Sequence, residues 1–293
     1  MPMTITEKIL ARHAGLESVA PGDLVEAKVD LAFAHDFTAP IAIQVFKQIG
    51  APKVFDRRRV ALVADHFVPN KDIASAEQAK LMREFAREQD LELYYEVGEA
   101  GIGHVLLPEQ GLVVPGQLVI GADSHTCAYG ALGAFSTGVG STDFAAVMAT
   151  GETWLRVPPT IRVEYTGTLR PLVGGKDLIL RLIGEIGVEG ALYAALEFCG
   201  DVVGGLSMPH RFAMANMAIE AGAKNGIIVP DETTKAYVKD RARWEPLYLA
   251  SDAGARYERT ITIDVSALEP QIAFPHSPAN VRPVSEAKNI ALD

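Results

Sequence analysis

Residues 118–143, LVIGADSHTCAYGALGAFSTGVGSTD, decide how the rest of the chain is read. The first five are apolar with no alternation, the pattern of a strand buried on both faces of a parallel sheet. At its carboxyl end the run delivers Asp123, Ser124 and His125. A second apolar run, RVALVA at 59–64, ends the same way in Asp65 and His66. Ligands of open α/β sheets bind beyond the carboxyl ends of strands. A carboxylate beside an imidazole fixes the ring tautomer and raises its basicity, which makes a proton carrier near neutral pH. A plainer reading stays open, in which each Asp caps the next turn and each His is merely exposed.

The glycines of the same run do not make a phosphate loop. Gly133 and Gly138 have the P-loop spacing, but Val139 stands where lysine is needed. Gly138 and Gly140 begin a dinucleotide fingerprint, but Asp143 takes the place of its third glycine. Each match fails at the residue that carries the chemistry. A tight turn against a helix N-terminus is the better reading, with backbone N–H groups that a carboxylate could use.

Working outward, strands and helices alternate. Helices are predicted over 40–49, 72–89, 144–155, 177–186 and 211–223. Strands are predicted over 59–64, 91–97, 118–122, the stretch TIRVEYTG, LYAALEFCG, GIIVP and RTITIDVSAL. The alternation points to an α/β fold with largely parallel sheets. Pro158 and Pro159 mark a break between two units. Pro270, Pro275, Pro278 and Pro283 predict an extended linker without regular structure, leading into KNIALD as the start of a strand.

Composition sets the outer limits. The chain has 293 residues, 48% of them hydrophobic and 22% charged, which excludes wholesale disorder. A net charge of −10 speaks against a general nucleic-acid binder but leaves room for a small anionic substrate. Two cysteines, Cys127 and Cys199, exclude a disulfide scaffold and suit a reducing compartment. They also fall short of a zinc site of four thiolates or a cluster held by three. The start, MPMTITEKIL, lacks the apolar core of a signal peptide, and no run approaches the ~18 residues of a membrane span. A cytoplasmic location is expected.

Further candidates lie outside the two Asp-His units. His104 sits among small residues in GIGHVLLPEQG, which would let backbone or ligand approach closely. Asn216 and Glu220 share a helix face at i, i+4, and a Glu among Met, Ala and Ile needs a partner if buried. Cys127, two residues after His125, is a possible thiolate nucleophile or a packed small hydrophobe. His13, His210 and His276 lack supporting neighbours and receive no role.

Together ADHF, GIGHVLLPEQGLVVPG, GADSHTCAYGALGAFSTGVGSTD, GKDLILRLIG and ANMAIEAGAKNGIIVPD resemble the aconitase superfamily, in its isopropylmalate branch. The resemblance runs from about residue 4 to residue 293. It implies aconitase-like α/β/α layered domains, here 1–158 and 159–264, followed by a Pro-rich linker, 265–293, into a third domain absent from this chain. The implied reaction is a hydro-lyase isomerisation. A hydroxyl moves to the neighbouring carbon by dehydration and rehydration, turning 2-isopropylmalate into 3-isopropylmalate in leucine biosynthesis. Homoaconitate, methylmalate (citraconate) or dimethylmalate hydro-lyases of the same family are alternatives, as is a non-catalytic module that binds a dicarboxylate or a subunit.

Site roles follow from the resemblance residue by residue. Asp65 and His66 resemble the pair that delivers a proton to the leaving hydroxyl. His104 is expected to be partnered by Asp123, and His125 by Glu220. Ser124 and His35 fall at substrate-contacting positions, and Asn216 supports the cluster from behind its ligands. The family carries a 4Fe-4S cluster on three cysteines, the first in a Ser/Thr-Cys-Thr-Asn-Gly motif, and pairs with a small subunit bearing the swivelling domain. Neither Cys127 nor Cys199 matches a cluster position. No cluster is therefore expected on this chain alone, and no activity.

Overall fold

The computed structural model describes residues 1–99 and 101–288. Helix α1 (Ile5–Ala14) opens the chain, closed at its N-terminus by a reciprocal cap in which Thr4 accepts from the Glu7 N–H and Glu7 from that of Thr4. Strands β1 (Leu24–Lys28) and β2 (Leu31–His35) follow, then α2 (Ala39–Ile49), β3 (Val60–Val63), α3 (Ile73–Gln89) and β4 (Leu93–Tyr95). Next come α4 (Gly103–Glu109), β5 (Leu118–Gly121), a 3-10 segment over Ser124–Leu132, β6 (Phe135–Gly138), α5 (Ser141–Thr150) and β7 (Glu152–Arg156).

Five of these strands form one parallel sheet in the order β4-β3-β2-β5-β6. Its central strands are buried at every position because both faces are covered, and apolar up to His35 at the end of β2. Ala32, Ala34, Val60, Leu62, Leu118 and Ile120 pack into a core with α1, α2, α3 and α5. Leu31, Phe33, Ala61, Val63 and Val119 pack on the other face with Leu107, Tyr129 and Met208. Such strands carry no alternation for the eye to find.

A second parallel sheet, β10-β9-β8-β11, is built from β8 (Thr160–Thr166), β9 (Ala195–Cys199), β10 (Asn225–Ile228) and β11 (Arg259–Asp264). Between these strands run α6 (Gly175–Ile186), α7 (Asp201–Gly204), α8 (Met208–Asn216), a 3-10 turn over Met217–Ala221, and α9 (Glu232–Val238). The two sheets meet where Gly130 lies against Gly226. A Cβ on Gly130 would come within 1.9 Å of the Gly226 carbonyl oxygen, so the contact requires glycine. Asn225 bridges the junction, accepting from Ser136 Oγ and donating to the Ala134 carbonyl. Mixed α/β architecture with parallel sheets is the expected class.

Several expectations need correction. The helix predicted over 144–155 stops at Thr150, where Gly151 caps it at φ 73°, and 152–156 turn into β7, antiparallel to β1. The helix predicted over 211–223 starts earlier and tightens into 3-10 geometry after Asn216. The Pro-rich segment is not wholly irregular. A short antiparallel pair, β12 (Gln271–Ala273) and β13 (Val281–Pro283), packs on α6, with Pro283 at the strand end where its missing N–H costs least. The strand expected to begin in KNIALD falls outside the described residues from 289 onward. Among the described residues no helix is long and apolar enough to cross a membrane.

Candidate active site

In the order β4-β3-β2-β5-β6, successive strands are added on one side of β2 and then on the other. The sheet reverses between β2 and β5, the place where α/β sheets open a crevice. Strands β2, β3 and β5 are the middle three, and their carboxyl ends carry His35, Asp65-His66 and Asp123. The site is therefore assembled by adjacent parallel strands from residues far apart in sequence.

Asp123 is the centre. Its Oδ1 accepts from His104 Nε2 at 2.6 Å and from the His125 N–H at 2.9 Å, while Oδ2 meets His35 Nε2 at 3.2 Å. Burial alone would raise this carboxyl, but the hydrogen bonds from His104 and His35 outweigh it and hold Asp123 far below the usual carboxylate range. On the other side of His35, the Phe37 N–H donates to Nδ1 at 3.2 Å. This pattern assigns the His35 proton to Nε2, pointing at Asp123. The far nitrogen of His104 lies 3.2 Å from the hydroxyl of Tyr129. Tyr129 is fully buried, which pushes its ionisation well above the ordinary value and keeps it a neutral hydroxyl.

Asp65 and His66 form the second unit. His66 Nδ1 lies 2.6 Å from Asp65 Oδ1, and Asp65 Oδ2 accepts from the Gly103 N–H at 2.6 Å. Glycine at 103 is obligatory, since a Cβ there would press within 2.6 Å of the Phe33 ring. Asp36 anchors the loop from below by accepting the His66 and Phe67 N–H groups at 2.9 and 2.8 Å. The His66 ring stacks on His35 with centroids 3.8 Å apart, which joins the two units into one surface. With Nδ1 tied to Asp65, Nε2 is the nitrogen left for a ligand, and the His66 side chain is 45% exposed.

At the rim, His125 Nε2 sits 3.4 Å from Glu220 Oε1, and Ser124 Oγ lies 3.3 Å from His125 Nδ1. Asn216 is not part of this network. It lines an apolar cavity of about 520 Å³, together with His104, Val105, Met208, Phe212 and Tyr237. His35 proves nearly inaccessible, 1% exposed, and meets Asp123 rather than open solvent. Tyr129 and Asp36 were not singled out by sequence, because their parts depend on contacts across the sheet. His13, expected to lack a partner, pairs with Asp30 at 2.6 Å, although at the opposite edge of the sheet.

His35, Asp36, Asp65 and His66 offer ligand atoms all within 4.8 Å of one another. Both nitrogens of His35 and both oxygens of Asp36 and Asp65 are already engaged. Only one nitrogen of the four residues stays open, so the group reads as a hydrogen-bonded network and not as a vacant ion cage.

This sheet, its switch point and its Asp–His network define a class that the comparisons identify: the chain belongs to the aconitase family (aconitate hydratase), whose model matches residues 7–292. Among its relatives is the 3-isopropylmalate dehydratase large subunit of Syntrophus aciditrophicus, 61% identical over 293 residues, which are all of this chain and 70% of the relative. The protein of the same name from Moorella thermoacetica is 62% identical over the same shares. Large subunit 1 from Pyrococcus furiosus is 59% identical over 99% of this chain and 69% of its own length.

The donors present do not fit the family's iron–sulfur cluster. Cys127 is buried, its thiol donates to the Asn216 carbonyl at 3.2 Å, and burial pushes it up to about 12. Cys199 ends β9 in the other sheet, where it accepts from Arg162 Nε at 3.2 Å. Burial raises the Cys199 thiol as well. Two neutral thiols engaged in separate places cannot supply three converging thiolates.

Proposed function

We propose that these residues are the large-subunit part of a hydro-lyase that interconverts 2-isopropylmalate and 3-isopropylmalate by dehydration and rehydration, in leucine biosynthesis. The observation that carries the reading is identity near 60% along the whole chain to large subunits of that name. The Asp–His geometry is what such a reaction needs.

In this reading a base outside these residues takes the proton of the neighbouring carbon, whose C–H electron pair becomes the double bond, while His66 gives its Nε2 proton to the leaving hydroxyl, which departs as water. In the return step His66 takes a proton from the water that adds, and the base returns its proton to the other carbon. Asp65 holds the ring in the required tautomer and stabilises its charged form. Asp123 orients His104 and His35 against the same cleft. His125, steadied by Glu220, and Ser124 contact the substrate at the rim. Asn216 is assigned to support of the cluster from the apolar side of His104.

The 4Fe-4S cluster of the family supplies Lewis acidity when bound. We place its cysteine ligands, and the small subunit's substrate contacts, outside these 293 residues. We divide the chain at 158/159 and 264/265, since the first sheet closes before Pro158 and the second ends with β11. A cytoplasmic location suits two free thiols.

The test is growth. The gene carrying this sequence, expressed with its small subunit in a strain lacking 3-isopropylmalate dehydratase, should restore growth without leucine. Failure there, with restoration in a homoaconitate hydro-lyase mutant, would move the assignment to that substrate.

A further inference from the structure

Lys224 follows the 3-10 turn that carries Glu220 and leads into β10. Among the described residues only Lys8 and Lys224, of all the lysines, are not exposed. Lys8 is paired with Asp252. Among the described residues no carboxylate lies within ion-pair distance of Lys224. Burial lowers its pKa, and the exposed, more distant Asp143 acts against that shift. Its ammonium instead lies 5.0 Å from the centre of the Tyr193 ring, which Arg156 approaches at 6.0 Å. Tyr193 holds this position with φ at 60°, a left-handed conformation that a bulky residue keeps only when its surroundings impose it.

The setting is a cavity of about 400 Å³ lined by Ser124, Gly138, Asp143, Trp154, Tyr193 and Lys224. Ser124 ties it to the catalytic rim through His125. In a chain of net charge −10, a half-buried ammonium beside the cleft with no ion pair among the described residues stands out. Partial burial of a charge without a partner is unfavourable, and a bound anion removes the imbalance.

We propose that Lys224 binds a carboxylate of the hydroxy-acid substrate in this cavity, with Ser124 Oγ as the second donor. The assignment rests on the hydro-lyase reading and deepens it. One ammonium and one hydroxyl match a singly charged carboxylate. A phosphate would call for more donors, of the bidentate arginine kind.

The test uses the 293-residue chain and maleate, titrated calorimetrically at low ionic strength. Lys224→Gln should weaken maleate binding at least tenfold, Lys224→Arg should keep most of it, and Ser124→Ala should weaken it a few-fold. Thermal melts check that each variant is folded. If Lys224→Gln does not fold, Ser124→Ala and Lys224→Arg decide. No measurable binding to the folded parent chain, or equal affinity in the parent and in Lys224→Gln (or in Ser124→Ala where Lys224→Gln does not fold), overturns the assignment. Inorganic phosphate binding more tightly than maleate overturns the carboxylate class. Lys224-dependent maleate binding by a protein whose gene fails the growth test would keep the anion site and sink the hydro-lyase reading alone.

Discussion

The parallel sheet carries a tight Asp–His pair at each edge, and the proposed function gives chemistry to only one of them. At the amino edge Asp30 meets His13 at 2.6 Å; at the carboxyl edge Asp123 meets His104 at the same distance. Both carboxyls are held low, with hydrogen bonds from histidine outweighing the burial that would raise them. The difference lies in the remaining atoms. Asp30 also accepts the Leu118 N–H, Arg59 donates to its carbonyl, and His13 Nδ1 is taken by the Ile9 carbonyl. The polar groups there are taken up in tying neighbouring segments together. At the carboxyl edge the network continues through His35 and His66 to a half-exposed imidazole with one nitrogen free. On the proposed reading, an Asp–His pair signals function where its network runs on to a free nitrogen, as this one does at His66.

The largest expected effect comes from His66→Ala in the complete enzyme assembled with its small subunit. Turnover should fall by about 10²–10⁴-fold with little change in KM, since the lost step is proton transfer. The matching change at the other edge, His13→Ala, should leave turnover unaltered. Equal losses at the two edges would break the contrast.

Next in size is the carboxylate pair. Asp123→Asn should cost roughly 10–100-fold in turnover by releasing the orientation of His104 and His35. Asp30→Asn should cost about 1–3 kcal/mol of stability, read by urea unfolding, and no catalytic rate. A rate defect in Asp30→Asn with unchanged stability would reverse the assignment of the two edges.

How much of this could be read beforehand follows the same line. The strands ending in Asp65-His66 and Asp123–His125 were visible because an apolar run stops abruptly in polar residues. Strand β2 went unpredicted, although it is central, because LAFAH is short and follows β1 after two residues. His35 was therefore placed by resemblance alone, and its buried bond to Asp123 was out of reach. Asp36 and Tyr129 act through partners 30 and 25 residues away, which no local pattern encodes. The end of α5 was overrun although Gly151 marks it, because the apolar residues of β7 continued the helical pattern.

The smallest effect is in pH dependence. Asp30 and Asp123 bind protons more weakly folded than unfolded, so below about pH 4 the unfolded chain takes up protons that the folded one refuses. Stability should fall with acid through that range. Glu197, raised by burial, acts with the opposite sign and favours the folded state as pH drops. Urea midpoints measured from about pH 5 to 3 should show a shallower fall in Asp30→Asn than in the parent chain. An unchanged slope would remove Asp30 from the comparison.

The central place of β2 also orders events in time. His35 and Asp123 are 88 residues apart, and their strands pair only after the chain between them has closed as a loop. Closing so long a loop is slow compared with forming any single helix. The proposed catalytic surface is consequently a late product of folding. In pulsed hydrogen exchange the amides of α3 should gain protection before that of His125, which is held by Asp123, so an intermediate can be helical and compact while still chemically blank.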